Sequence, residues 1–184
     1  MTTGPKNTDE DFRAFMASRW PRLLRAARLL TGNHHDAEDL VQAALSRAYV
    51  KWDKVEKSDQ IDAYVWRILV NTHATRLRRT RLRELLSPRV PEPVHDDATG
   101  QVDARDALVG ALTRLPRRQR TVLVLCFFED MSPAQAAAVL GTTASTVRSQ
   151  SARAIATLRA DGTLAALREP ARPINPSTPK TVTT

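Results

Sequence analysis

Arginine is concentrated where the sequence has least acid to neutralise it: Arg67, Arg76, Arg78, Arg79, Arg81, Arg83 and Arg89 are opposed only by Glu84. Guanidiniums in such a row displace counterions from phosphates, which gives affinity for a nucleic-acid backbone without reading its sequence. Tyr64, Trp66 and Asn71 stand just upstream. Aromatics beside a basic track can stack unpaired bases and hold a single strand; the same rings can equally pack a core. A second chemistry lies in Met131 to Arg159. Ser132, Pro133 and Gln135 open a short helix with an N-cap, a first-turn proline and a capping-box partner, and Gly141 closes it. After Gly141-Thr142-Thr143, a further helix turns Val147, Ala154 and Leu158 inward and leaves Ser145, Thr146, Arg148, Ser149 and Arg153 outward. That is the pattern of a helix-turn-helix, whose second helix sets Ser, Thr and Arg against base edges and phosphates in the major groove; a plain αα-hairpin is the other reading. A third face carries Glu38, Asp39, Gln42 and Ser46, where acid also complements a helix N-terminus.

No enzyme chemistry is visible. The chain has no phosphate-cradling glycine loop, no nucleophile elbow and no metal triad. His34-His35-Asp36 at a helix start reads as solvated capping, so no metal and no cofactor is expected. Cys126, the single cysteine, sits in an apolar run and reads as a small core residue; a reducing compartment is consistent with it.

The elements that must position these residues are helices. Of 184 residues, 42% are hydrophobic but only 5% aromatic, with 6 glycines, which favours an all-α chain over a sandwich or barrel. Phe12, Phe15, Met16, Leu23, Leu24, Ala27 and Leu30 recur at helical spacing, with Pro21 marking a kink or a fresh first turn. Asn33 and Asp36 then form a cap ahead of the stripe Ala37, Leu40, Val41, Ala44, Leu45, Ala48 and Trp52. A polar loop, Asp53 to Gln60, precedes a long helix from Ile61 to Arg83, apolar in its first half and cationic in its second. Val109, Leu112, Leu115, Val122, Leu123, Leu125 and Cys126 predict two helices split at Pro116. Pro88, Pro91 and Pro93, followed by Asp96, Asp97 and Gly100, make 87–103 a linker between helical domains at 10–86 and 104–168. Residues 1–9 and 169–184 lack apolar periodicity and are expected to be disordered.

The balance of 28 Lys and Arg against 20 Asp and Glu, a net +8, suits a polyanionic partner. The longest apolar run, Thr121 to Phe128, is too short to cross a bilayer, and no signal-peptide core is present. No membrane association and a cytoplasmic location are expected.

Three strings, taken in order, resemble a known family: Ala37-Glu38-Asp39-Leu40-Val41-Gln42; Tyr64 to Thr72 leading into Arg78-Arg79; and Leu115-Pro116-Arg117-Arg118-Gln119-Arg120 followed by the helix-turn-helix. They are similar to bacterial sigma-70 family factors of the extracytoplasmic-function type, and to the actinobacterial SigE-like subgroup among them, over about residues 10–162. The resemblance implies a factor that binds core RNA polymerase, recognises minus-35 and minus-10 promoter elements and promotes DNA melting. It implies that Asp39, Gln42 and Ser46 dock on the beta-prime coiled coil. It implies that the loop Asp53 to Gln60 with Trp66, Arg67, Val70 and Asn71 opens the minus-10 element and holds a flipped base, with Arg76, Arg78 and Arg79 along the backbone. The C-terminal domain would dock on the beta flap and read the minus-35 element through Ser145, Thr146, Arg148, Ser149 and Arg153. An anti-sigma factor is a further partner of this class.

Gln150 stands where the broader family commonly has Arg, and Ser145 where Gly is frequent, which bears on base preference. The segment 87–103 can span at most about 55 to 60 Å, enough to separate two readers by more than one duplex turn of about 34 Å. Its acids Glu92, Asp96, Asp97 and Asp103 suit a channel that otherwise holds nucleic acid. The rival reading is a helix-turn-helix repressor or activator that binds duplex DNA alone, which leaves the first domain without a task.

Overall fold

The computed structural model describes residues 8–56, 60–86 and 104–161. The expected linker 87–103, the tail from 169 and most of the N-terminal segment lie outside the described residues, although Thr8 and Asp9 already belong to the first helix. All regular structure among the described residues is helical.

Helix α1 (Thr8–Thr31) runs through Pro21, so the proline starts no second helix; it forgoes one backbone hydrogen bond. Asp9, Glu10 and Asp11 in the first turn and Arg28 in the last complement the helix dipole. The chain turns at Gly32, which sits at φ 96°. Helix α2 (His34–Tyr49) is capped as the sequence predicts: the Asp36 amide donates to the Asn33 side chain at 2.8 Å. Its buried stripe is Ala37, Leu40, Val41, Ala44, Leu45 and Ala48. Trp52, expected on that helix, instead opens the single turn α3 (Trp52–Val55) and is still buried, with its ring against Phe12 and Phe15.

Helix α4 (Ile61–Leu86) changes character halfway. Val65, Trp66, Leu69, Val70, Thr72 and His73 are buried, whereas every described side chain from Arg78 onward is exposed. Helices α5 (Ala104–Arg114) and α6 (Arg117–Leu123) flank Pro116 as expected, and α6 continues as a wider π turn over Val124–Phe128. Helices α7 (Pro133–Leu140) and α8 (Ala144–Ala160) complete the helix-turn-helix. No helix among the described residues is long and apolar enough to cross a membrane.

Helices α1 to α4 form one block and α5 to α8 another, and the two pack together. One apolar cluster runs from Leu40 and Leu69 of the first block to Val124, Leu125, Ala136 and Val139 of the second. A smaller cluster of Leu112, Leu115, Leu123, Ala154 and Leu158 lies within the C-terminal block. Polar contacts close the seam: Arg120 donates to the Leu30 carbonyl at 2.7 Å, Arg28 pairs with Asp106 at 2.6 Å, and Arg22 pairs with the buried Glu129. Arginine suits such a seam because its forked donors satisfy carbonyls that a helix end leaves open.

Candidate nucleic-acid interface

The helix-turn-helix is built from its caps. Ser132 accepts from the Gln135 amide, and Gln135 Oε1 accepts from the Ser132 amide at 2.8 Å, so both ends of the capping box are closed. Gly141 takes the left-handed conformation at φ 63° and stops α7. Thr143 then caps α8 by accepting from the Thr146 amide, and its hydroxyl lies 2.9 Å from both the Ser145 and Thr146 hydroxyls. Val147, Ala154 and Leu158 face inward as predicted. Ser145, Thr146, Arg148, Ser149 and Arg153 are all exposed. Ser145 and Thr146 are partly engaged in the cap, and the two arginines are free of ion pairs among the described residues.

The residues assigned to the other reader do not share one condition. Asn71, Arg78 and Arg79 are exposed, Arg78 donating weakly to the Thr75 hydroxyl at 3.4 Å. Trp66 is only 3% exposed and Val70 is also buried, so in this arrangement neither side chain offers a surface to a base. The Arg22 guanidinium lies 5.9 Å from the Trp66 ring centre. Arg67 is exposed but donates to the Ala138 carbonyl of α7 at 2.9 Å. This part of α4 is thus partly covered by α7. Tyr64 is half-buried, and of the loop Asp53 to Gln60 the residues 57–59 lie outside the described residues.

On α2, Gln42 and Ser46 are exposed, the Ser46 hydroxyl donating to the Gln42 carbonyl at 2.9 Å. They border an open groove of about 500 Å³ whose apolar wall includes Phe12, Met16, Trp20 and Tyr49. Asp39 lies 3.8 Å from Arg76, which links this face to the cationic track. A larger groove of about 770 Å³ separates the blocks, lined by Phe15, Trp66, Met131 and Val139 with the charges of Arg19, Asp62, Arg22 and Glu129.

Burial shapes the charges at the seam. Desolvation first, then Arg117, Arg120 and Arg76, brings His73 down to about 4 against an opposing pull from Asp36, so this histidine is neutral. Burial raises the Glu129 carboxyl despite the hydrogen bond from Arg22, and burial raises the Cys126 thiol. Sequence reasoning missed Arg22, Glu129, Arg120 and Arg117 as seam residues, and no local pattern marks them, because their partners are distant in the chain. Phe127 and Phe128, at the end of the longest apolar run, were also missed as surface residues; they are exposed on the π turn.

Two family descriptions match: Sigma-70 region 2 over residues 16–83 and Sigma-70, region 4 over residues 105–158. The RNA polymerase sigma-E factor of Streptomyces coelicolor is 40% identical over 149 residues, covering 81% of this chain and 84% of that protein. The ECF RNA polymerase sigma factor SigM of Mycobacterium tuberculosis is 34% identical over 137 residues, covering 74% and 69%. Among solved structures, the sigma factor RpoE of Bartonella quintana, in complex with the anti-sigma factor NepR, superposes with TM-score 0.71 at 29% identity, covering 85% of this chain and 98% of that one. CnrH, in complex with the cytosolic domain of CnrY, gives TM-score 0.62 at 27% identity, covering 86% and 90%. With both sigma regions matched in order on two helical blocks, the chain belongs to the sigma-70 family, among its extracytoplasmic-function members.

Proposed function

We propose that the chain binds core RNA polymerase in the cytoplasm, recognises minus-35 and minus-10 promoter elements and promotes melting of the start site. The observation that carries this reading is the pairing, in one chain of this family, of an open helix-turn-helix face with a cationic helix whose aromatic is held under the other block. Arg148, Ser149 and Arg153, with Ser145 and Thr146, contact the upstream element. Arg76, Arg78 and Arg79 follow the backbone of the downstream one, and Asn71 serves with Trp66, Arg67 and Val70 to hold a flipped base. Asp39, Gln42 and Ser46 meet the beta-prime coiled coil. The C-terminal block meets the beta flap.

Trp66, Arg67 and Val70 reach the minus-10 element only after α7 leaves α4, so the chain opens when the polymerase takes it. The segment 87–103 has the reach for that separation. Effective concentration on the enzyme then lets two weak readers act as one. An anti-sigma factor, the class of partner bound to the solved RpoE, would act on the free chain.

Reconstitution tests the proposal: the full chain, core polymerase and promoter DNA yield RNA from one defined start, and the chain alone binds duplex promoter weakly. Tight sequence-specific binding by the free chain with no redirected initiation would establish a repressor or activator instead.

A further inference from the structure

Among the described residues, the contact between α4 and α6 gathers arginines without an acid paired to them. Arg117, the first residue of α6, donates across the seam to the Ala74 carbonyl at 3.5 Å. Arg78 and Arg81 stand one and two turns beyond Ala74, hence on the same side of α4. Arg118 follows Arg117 and is exposed, as are Arg78 and Arg81. None of these four arginines forms an ion pair among the described residues. They act on one another: after desolvation, the charges of Arg118, Arg78 and Arg81 pull Arg117 below the ordinary guanidinium range. Like charges gathered at a half-buried seam repel unless an anion sits among them.

We propose that Arg78, Arg81, Arg117 and Arg118 form an anion site spanning α4 and α6 that takes a ligand with adjacent phosphate groups. Guanidinium forks bind phosphate oxygens two at a time. Adjacent phosphates offer the forks of both helices a partner at once. That chemistry is offered by a free chain of phosphates and by the phosphodiester backbone of a nucleic acid. Arg117 and Arg118 belong to the C-terminal block and Arg78 and Arg81 to the N-terminal one, so the site is whole only while the blocks are packed. A ligand that binds the packed state better shifts the population toward it. Occupancy therefore keeps Trp66 covered and holds the chain out of initiation; this consequence, unlike the site itself, rests on the proposed function.

The test titrates the full free chain with sodium tripolyphosphate at fixed ionic strength. Saturable binding is expected, at least tenfold weaker in Arg117→Gln/Arg118→Gln and unchanged in Arg148→Gln/Arg153→Gln on the opposite DNA-reading face. Arg118→Glu, at an exposed position, repeats the test without disturbing the Ala74 contact. Arg22→Glu, which breaks the seam elsewhere, is expected to weaken binding tenfold. Equal affinity in the Arg117/Arg118 variants or equal loss in the Arg148/Arg153 variant would overturn the site, as would full affinity in Arg22→Glu when labels on the two blocks show the seam open. A mixed-sequence single-stranded oligonucleotide separates the two sources. If it displaces tripolyphosphate and is itself weakened by Arg117→Gln/Arg118→Gln, the site takes a nucleic-acid backbone. If the substitutions leave oligonucleotide binding intact while tripolyphosphate binding falls, the site takes free phosphate chains. Start selection by wild type and Arg117→Gln/Arg118→Gln with core polymerase and no tripolyphosphate, measured in parallel, reports on the proposed function alone.

Discussion

Burial first, then the charges of Arg117, Arg120 and Arg76, holds His73 neutral in the fold against the opposing pull of Asp36. Because its ordinary value of 6.5 falls to about 4, the unfolded chain binds the extra proton first. Stability from this group is complete above about pH 6.5 and is lost as the pH falls toward 4, by about 3 kcal/mol in all. Urea unfolding at neutral and acid pH is expected to show that loss, and His73→Leu is expected to flatten it. Unchanged acid sensitivity in His73→Leu would assign the loss to other groups. At Gly32 the backbone is left-handed, and an added Cβ would lie 2.7 Å from the Thr113 side chain of α5. Gly32→Ala is therefore expected to destabilise the chain by about 1 to 3 kcal/mol, more than strain in the turn alone, because it also pries the two blocks apart. Thermal unfolding measures it, with Gly141→Ala as the control that has the same backbone sign and open space around it. What faces His73 and Gly32 was not legible in the sequence, because Thr113, Arg117 and Arg120 are distant in the chain.

At the scale of elements, α4 carries the sharpest division between packing and chemistry. Its first half buries Val65, Leu69 and Val70, while its second half leaves Arg78, Arg79, Arg81 and Arg83 to solvent. A helix divided this way offers phosphate contacts without disturbing its own anchorage. Arg78→Ala/Arg79→Ala is expected to slow promoter opening and to reduce the salt slope of single-strand binding by about one to two, while association with core polymerase persists. Filter binding across a salt series checks the slope, and loss of core association instead would reassign the helix. The charge division was legible from composition along the segment. So were the caps at Asn33 and Ser132, because a cap is decided by residues three positions apart. The break that gives Trp52 its own turn and the π turn that exposes Phe127 and Phe128 were not, since each is settled by what packs against the chain rather than by its local period.

The whole molecule adds what no segment contains, a seam between two blocks. Glu129 is buried and Arg22 reaches it from α1, so the pair bears on closure. Arg22→Glu and Glu129→Arg, each alone, set like charges together and are expected to lengthen the distance between labels on the two blocks; the double exchange restores it. The coupling is expected at about 1 to 3 kcal/mol, and a distance insensitive to either single change would place the hold on the apolar cluster instead. The sequence by itself determined an all-α chain, the order of its helices, the helix-turn-helix with its outward face, and the family, because periodicity, caps and charge runs are written in neighbouring residues. Only the tertiary structure decided that Trp66 and Val70 are covered, that Arg67 is bound to Ala138, and that arginines from α4 and α6 crowd one seam. Those facts depend on burial between residues far apart in the chain, and burial is a property of the packed whole.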